Sequence, residues 1–231
     1  MTVGQEKDVT ERMASLGAVA AGLAHEIKNP LVAIKTLAQL LPEKFDDPEF
    51  RNYFSQVVLD EVERINTLVS ELLDFARPSL PRTELLNLEL LVEDVVRRLD
   101  LPRHQGAVCL NKVFDEGLPP IQGNPVQLRQ VLFNVLTNGI EAMPAEGDLE
   151  VRTAWEGGAL LVIVTDSGAG IDDRDLPRIF EPFFTTKPSG TGLGLPLCKK
   201  IMEEHGGEIR VTNRPEGGTM VRLSFPFPDG R

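Results

Sequence analysis

Apolar residues recur at steps of three or four positions through the first third of the chain. The first stripe, between about residues 5 and 41, consists of Leu16, Val19, Leu23, Ile27, Leu31, Ile34, Leu37 and Leu41. A second stripe, which runs to about residue 76, consists of Phe54, Val58, Val62, Ile65, Val69, Leu72 and Phe75 or Ala76. This spacing lines one face of a helix with apolar side chains. It predicts two long helices, the first on the order of 55 Å long at ~1.5 Å per residue.

A short polar segment separates the two predicted helices. Pro42 and residues 44–48 mark the turn, with Asp47 as the predicted N-cap and Pro48 at the first helical position of the second helix. After pairing, two antiparallel helices would each leave an apolar seam open to water. The pattern therefore predicts dimerisation into a four-helix bundle.

The period of the pattern changes beyond Pro78 and Pro81, which bracket a short stiff linker. Helices are predicted over 88–101, 126–143 and 195–204. Strands are predicted over 107–114, 148–155, 160–165, 209–212 and 219–225, with hairpin turns at 156–158 and 215–218. Hairpins with interspersed helices predict a mixed, largely antiparallel sheet with helices on one face. The predicted fold class is α+β, with a helical hairpin over 1–77, a linker over 78–82 and an α/β sandwich over 83–231.

Composition and charge narrow the function. The chain has 231 residues, of which 42% are hydrophobic, and a formal net charge of -11. A charge of that sign argues against an electrostatic grip on nucleic acid or an anionic membrane. Cys109 and Cys198 have no metal-like spacing and are interpreted as reduced thiols. The sequence shows no membrane span and no signal peptide, which predicts a cytosolic protein or the cytosolic piece of a larger one.

The segment around His25 combines chemically useful groups on a predicted helix. A neutral imidazole keeps a free ring nitrogen and is a ready nucleophile near neutral pH. Glu26 can orient the ring or accept its proton. Asn29 shares the helix face of His25, and Pro30 bends the helix beside it. The alternative is an ordinary surface histidine.

Polar groups in the second half of the chain suggest a ligand site. Asn134 and Asn138 lie one turn apart on an otherwise apolar helix, where their oxygens could hold a hydrated Mg²⁺. Asp166 ends an apolar strand and is followed by Gly168 and Gly170. Such a segment lets a flat ligand approach the backbone while the carboxylate accepts from an exocyclic amine. A simple turn is rich in the same residue types, so a ligand-binding loop and an ordinary turn both stay open as interpretations.

A glycine-rich loop over residues 190–194 opens the last predicted helix, where backbone amides can cradle phosphates. Its spacing differs from the G-x-G-x-x-G of a dinucleotide fold. It also lacks the Lys-Ser/Thr of a P-loop. The spacing and surroundings of this loop therefore exclude both a dinucleotide-binding dehydrogenase and a P-loop protein.

Across essentially its whole length, the chain resembles the cytosolic core of a bacterial two-component sensor histidine kinase. Five motifs stand in that family's order: an H box at 25–30, an N box at 134–138, a G1 box at 166–170, an F box at 180–184 and a G2 box at 190–195. The resemblance implies a dimerisation and histidine-phosphotransfer hairpin, followed by an ATP-binding α/β sandwich of the kind shared with Hsp90-like ATPases.

The resemblance also assigns roles by position. It makes His25 the acceptor of the γ-phosphoryl group of ATP, and Glu26 the base or the group that orients the ring. It implies that Asn29 helps to dephosphorylate the regulator, that Asn138 is the Mg²⁺ ligand, and that Asp166 binds the adenine amino group. The implied nucleotide-binding residues are Asn134, Asn138, Asp166, Gly168, Gly170, Lys187, Gly190, Thr191, Gly192, Leu193 and Gly194. Lys187 is the only cation between residues 185 and 189; it either contacts phosphate or is solvated.

The implied function is autophosphorylation at His25 and phosphotransfer to an aspartate of a response-regulator receiver domain by a homodimer. The alternatives are a non-kinase ATPase of the same nucleotide-binding fold and a dimeric scaffold whose nucleotide site is dead. The first 15 or so residues are too short for a sensor domain, so an upstream sensor domain or another subunit is expected to supply the signal.

Overall fold

The computed structural model of the protein describes residues 3–76, 83–99, 108–143, 146–187 and 190–226, without the side chains of residues 3–21, 23, 25 and 74–76. The chain forms two compact units. One comprises Met1–Arg77 and Glu181–Leu193, and the other comprises Pro78–Phe180 and Gly194–Arg231. The predicted linker at 78–82 lies outside the described residues.

The first unit is built on a helical hairpin of α1 (Val3–Lys44) and α2 (Pro48–Ala76). α2 begins at the predicted residue because Oδ1 of Asp47 accepts hydrogen bonds from the backbone N–H groups of Glu49 (2.9 Å) and Phe50 (3.3 Å). Pro42 was assigned to the turn, but it lies inside α1. That prediction was wrong because a proline so near a helix end removes only one backbone hydrogen bond, and α1 continues to Lys44.

Part of the predicted apolar seam of the hairpin is exposed in the single chain. Leu31 is 51% exposed, Val62 is 44% exposed and Val69 is 39% exposed. Leu68 lies outside the predicted stripe and is fully buried. α2 therefore buries a face adjacent to the predicted seam, while the seam itself keeps large apolar side chains in contact with water.

The second unit contains seven strands in its described part. They are β1 (Glu84–Leu86), β2 (Val108–Phe114), β3 (Ile121–Gly123), β4 (Gly147–Glu156), β5 (Ala159–Asp166), β6 (Glu208–Asn213) and β7 (Thr219–Pro226). Five of them form a sheet in the order β2-β4-β5-β7-β6. β2 and β4 are parallel and the other neighbours are antiparallel. This confirms the predicted mixed, largely antiparallel sheet. The separate antiparallel pair β1 and β3 was not predicted, because three residues are too few to show an alternation.

Three helices of the described part pack in this unit: α3 (Leu88–Arg98), α4 (Pro125–Glu141) and α5 (Gly194–Glu204). α4 contacts β5 and α5 contacts β6, and alternate residues of β4, such as Leu149 and Val151, are fully buried. The side chain of Asn124 caps α4 by accepting from the backbone N–H groups of Val126 (3.0 Å) and Gln127 (3.4 Å). The cap fixes the start of the helix that carries the two predicted site asparagines.

Candidate functional site

The carboxylate of Asp166 lies at the end of β5 and is only 5% exposed. Its Oδ1 accepts hydrogen bonds from the backbone N–H groups of Gly168 (2.9 Å) and Thr219 (3.1 Å). Both of these bonds end on the same oxygen, so they fix the plane of the carboxylate without using Oδ2. Thr219 was not found from the sequence, because a backbone donor on another strand leaves no side-chain signature.

The loop after Asp166 approaches its neighbours closely, as the two predicted glycines suggested. A Cβ on Gly168 would lie 2.6 Å from the carbonyl oxygen of Ala142, so a larger residue would move the backbone. Gly170 has a φ of +75°, a left-handed conformation that favours glycine. The end of the β6–β7 hairpin supports this loop: the guanidinium of Arg214 donates from Nη1 to the carbonyl oxygen of Asp166 at 3.0 Å. Arg214 also was not predicted.

The two asparagines of α4 are half-buried and one turn apart. Nδ2 of Asn134 lies 3.5 Å from the carbonyl oxygen of Gly194, at the start of α5. Asn134 also hydrogen-bonds the thiol of Cys198 one turn further along α5. The structure therefore brings Asn134 and Gly194 together, as predicted for one site. It also gives Asn134 a second use as a bridge between α4 and α5.

The opposite ends of α4 and α5 are joined through His205, which was not predicted as a site residue. Nε2 of His205 accepts a hydrogen bond from the backbone N–H of Asn124 at 3.0 Å, and Nδ1 lies 2.7 Å from the carbonyl oxygen of Ile201. Nδ1 must carry the proton, because a carbonyl oxygen cannot donate. Together with Asn134, the ring of His205 holds α5 against α4 at both ends of α5.

Burial sets the chemistry of Cys198, which sits between these contacts and is fully buried. Removal from water raises the pKa of its thiol to about 12, although a hydrogen bond from Asn134 acts in the opposite direction. The thiol is therefore protonated and unreactive at neutral pH. This agrees with the interpretation of Cys198 as a reduced core residue.

The remaining predicted nucleotide-binding residues, from Lys187 to Leu193, belong to the same compact unit as the hairpin. The hydroxyl of Thr191 donates to the carboxylate of Glu71 and accepts from the backbone N–H of Leu193 at 3.3 Å. The backbone N–H of Gly190 donates to the carbonyl oxygen of Lys187 at 3.1 Å. Gly192 has a φ of +68°, and Lys187 is half-buried.

The predicted phosphoacceptor segment lies in the middle of α1. The backbone of His25 is helical, and its side chain lies outside the described residues. Oε2 of Glu26 is 3.5 Å from a guanidinium nitrogen of Arg64 on α2, and both side chains are about one quarter exposed. Asn29 is exposed and Pro30 is buried. Arg64, which was not predicted as a site residue, ties the carboxylate beside His25 to the second helix.

Two family descriptions match the chain. Residues 15–80 match the family described as His Kinase A (phospho-acceptor) domain. Residues 123–229 match the family described as histidine kinase-, DNA gyrase B-, and HSP90-like ATPase. The first match contains His25, Glu26 and Asn29, and the second contains Asn134 and Asp166. Together with the fold, they define a phosphoacceptor hairpin joined to an ATPase-type domain.

Proteins similar to this chain are named as histidine kinases, as the two family descriptions are. The catalytic domain of the histidine kinase ThkA is 32% identical, with a TM-score of 0.54 over 63% of this chain and 97% of that chain. The chain belongs to the histidine kinase family, which confirms the resemblance inferred from its five motifs. ThkA in complex with the response regulator protein TrrA gives a TM-score of 0.82 at 28% identity, over 99% of this chain and 67% of that chain.

Among curated proteins, the signal transduction histidine-protein kinase AtoS of Escherichia coli K12 is 39% identical over 222 residues, which is 95% of this chain and 36% of AtoS. The chain spans about a third to a half of the length of the curated relatives it matches. Within the described ranges, no helix is long and apolar enough to cross a membrane.

Proposed function

We propose that this chain is the catalytic core of an ATP-dependent protein histidine kinase, which phosphorylates itself at His25 and passes the phosphoryl group to an aspartate of a response regulator. The observation that carries the proposal is the geometry of Asp166. Two backbone N–H groups hold one of its carboxylate oxygens, and the other is then available to a ligand. Family membership supplies the link from a nucleotide site to a phosphoacceptor histidine.

In this proposal Asp166 recognises the base of ATP. The exocyclic amino group of adenine donates to Oδ2, and the close-packed loop at Gly168 and Gly170 lets the flat ring approach the backbone. Guanine has a carbonyl oxygen in place of that amino group, and two acceptors would then face each other. A buried acceptor that loses its donor discriminates strongly between ligands. The site should therefore prefer ATP to GTP.

The phosphates and their Mg²⁺ are assigned to α4. Asn138 supplies an amide oxygen, which suits Mg²⁺ because this ion keeps several waters and takes few protein ligands besides phosphate. Within the described ranges, no cluster of three or more His, Cys, Asp or Glu side chains could hold a metal. When bound, Mg²⁺ would neutralise charge on the phosphoryl group in transfer. The contact of Asn134 with Gly194 supports its assignment beside the phosphates.

The transfer step follows from imidazole chemistry. A ring nitrogen of His25 attacks the γ-phosphorus, an N–P bond forms, the bond from phosphorus to the β,γ-bridging oxygen breaks, and ADP leaves. The proton on the other ring nitrogen goes to Glu26 or to water. The ion pair with Arg64 fixes Glu26 on the face that α1 turns toward α2. Glu26 is thus assigned as the base or the group that orients the ring.

The assembly we propose is a homodimer that forms a four-helix bundle, because the seam at Leu31, Val62 and Val69 is exposed in the single chain. ThkA has been solved with the response regulator TrrA, and a receiver domain is proposed as the partner here. An upstream sensor domain or subunit would supply the signal, with this chain as the cytosolic part.

Incubation with γ-labelled ATP tests the proposal. The wild-type chain should acquire a label that is lost in acid and kept in alkali, as expected for a phosphorus–nitrogen bond. His25→Gln should acquire none while still binding ATP. Release of inorganic phosphate without a labelled protein would favour the non-kinase ATPase, and the absence of both products would favour the scaffold.

Asn29 allows a second test, because it should serve dephosphorylation rather than autophosphorylation. It is exposed on α1, one turn after His25, and its uncharged amide can aim a water at a docked phosphoaspartate without repelling the phosphoryl oxygens. Asn29→Ala should keep most autophosphorylation and lose most regulator dephosphorylation, whereas Lys28→Ala, at the neighbouring exposed position, should keep both. Equal loss of the two activities in Asn29→Ala would mean that Asn29 only supports the helix at Pro30.

A further inference from the structure

The loop that follows Asp166 is held at its far end by one side chain, that of Asn213. Asn213 is the last residue of β6 and is half-buried. Its Oδ1 accepts a hydrogen bond from the backbone N–H of Ile171 at 2.8 Å, and its Nδ2 donates to the carbonyl oxygen of the same residue at 2.6 Å. Nδ2 also lies 3.4 Å from Oδ1 of Asp173. The carboxamide therefore pairs with Ile171 much as a neighbouring strand would.

The near end of the loop is fixed by the same hairpin. The backbone N–H of Thr219, which pairs with Asn213 in the β6–β7 register, holds Oδ1 of Asp166 at 3.1 Å. Arg214, the next residue after Asn213, holds the carbonyl oxygen of Asp166 at 3.0 Å. Both ends of the segment from Asp166 to Ile171 are thus anchored to one β-hairpin.

Asn213 also packs against the bare backbone of the loop. A Cβ on Gly170 would lie 3.1 Å from Oδ1 of Asn213, so a larger residue at position 170 would displace the carboxamide. Of the common side chains, only an amide offers a neutral acceptor and donor side by side. An aspartate at this position would set an acceptor against the carbonyl oxygen of Ile171 and a negative charge near Asp173. A leucine would remove both bonds at similar size.

We propose that Asn213 is a positioning residue that sets the base preference of the nucleotide site. This inference rests on the proposed function, in which Asp166 accepts the adenine amino group. With both ends of the loop fixed, Asp166 cannot retreat from the carbonyl oxygen of guanine, and adenine is preferred. With the far end released, the loop can shift, so the penalty for guanine and the gain for adenine both shrink.

The test compares the affinities of the full chain for ATP and GTP, with Mg²⁺, by isothermal titration calorimetry. Asn213→Leu should bind ATP about tenfold more weakly, as expected when the hydrogen bond to the charged Asp166 acceptor is weakened, while GTP affinity stays the same or rises. The ratio of the ATP affinity to the GTP affinity should therefore fall by about tenfold or more. Thr212→Leu, a change at the neighbouring exposed residue of β6, should leave both affinities and their ratio unchanged.

A charge swap separates positioning from general support of the fold. Asn213→Asp should lose ATP affinity, and the double variant Asn213→Asp/Asp173→Asn should recover part of it, because the new amide at 173 donates to the new carboxylate. If Asn213 only stabilised the fold, its replacement would lower the unfolding temperature and the affinities for ATP and GTP in parallel, and the ratio of the two affinities would not change.

The outcomes separate this inference from the proposed function. If the wild-type chain bound neither nucleotide, both would be wrong. If it bound both with equal affinity, or if Asn213→Leu kept the wild-type preference for ATP, the role of Asn213 would be refuted while nucleotide binding stood.

Discussion

Replacement of Asp166 by asparagine should separate the stability of the domain from its affinity for ATP. The two backbone donors at this residue, from Gly168 and Thr219, both end on Oδ1. The amide oxygen of an asparagine can accept both of them, so the local fold should persist. The amide nitrogen then occupies the position of Oδ2, where a donor would face the amino group of adenine.

The size of the expected loss of ATP affinity follows from the hydrogen bond between Asp166 and adenine that the variant lacks. A hydrogen bond to a charged acceptor contributes about 1.5–3 kcal/mol, which corresponds to a loss of affinity of roughly 10- to 150-fold. Asp172→Asn is the matched control, because the Asp172 carboxylate is exposed and pairs with Arg174 at 2.7 Å. That change should leave ATP binding within about twofold of the wild type, since an exposed ion pair contributes little.

Calorimetric titration with a non-hydrolysable ATP analogue measures the affinity of each variant, and a thermal unfolding curve measures its stability. The expected result is a large loss of affinity in Asp166→Asn with a nearly unchanged unfolding temperature. Unchanged affinity would refute the assignment of Asp166 to the base. A large drop in unfolding temperature would instead refute the argument that one oxygen serves the fold and the other the ligand.

Three further predictions concern stability, reactivity and assembly. The hydroxyl of Thr153 is fully buried without a hydrogen-bond partner, so Thr153→Val should raise the free energy of unfolding by about 1 kcal/mol in urea titrations; a decrease would show that the hydroxyl is satisfied. Iodoacetamide at pH 8 should modify the exposed Cys109 and spare Cys198, whose pKa is raised to about 12, until the chain is unfolded; rapid labelling of native Cys198 would contradict its burial. Leu31→Glu should shift the chain from dimer to monomer at micromolar concentration in sedimentation, while Leu59→Glu, at an exposed position outside the predicted stripes, should not; an unaffected dimer in both variants would place the interface elsewhere.

The helices with a sustained period were predictable because a repeat of three and four positions specifies a helix, whichever of its faces is buried. α1 and α2 follow two long stripes, and the cap at Asp47 was read from its own side chain and the proline after it. Leu68 was missed because it lies beside the predicted stripe, and a single stripe describes only one face of α2. The short strands β1 and β3 exist through mutual pairing, which no local pattern reports.

In the candidate site, the predicted residues have a local sequence signature, whereas the residues that support them through tertiary contacts have none. Asp166 stands out as an acid at the end of an apolar strand. Arg64 was missed because it lies 38 residues after Glu26 in the sequence and contacts it only when the second helix packs back on the first. His205 was missed for the same reason, since its partner Asn124 lies 81 residues away.

The two asparagines of α4 show that spacing alone identifies candidate site residues but does not distinguish their structural contacts. One turn apart on one helix, they look equivalent in the sequence; Asn138 was assigned to Mg²⁺ and Asn134 to the nucleotide beside it. In the structure Asn134 already bonds to α5 through Gly194 and Cys198, so its loss would disturb the helix pair as well as any ligand. A substitution at Asn134 therefore tests two roles at once. Asp166 gives the cleaner test of nucleotide binding, because its two oxygens divide the roles between fold and ligand.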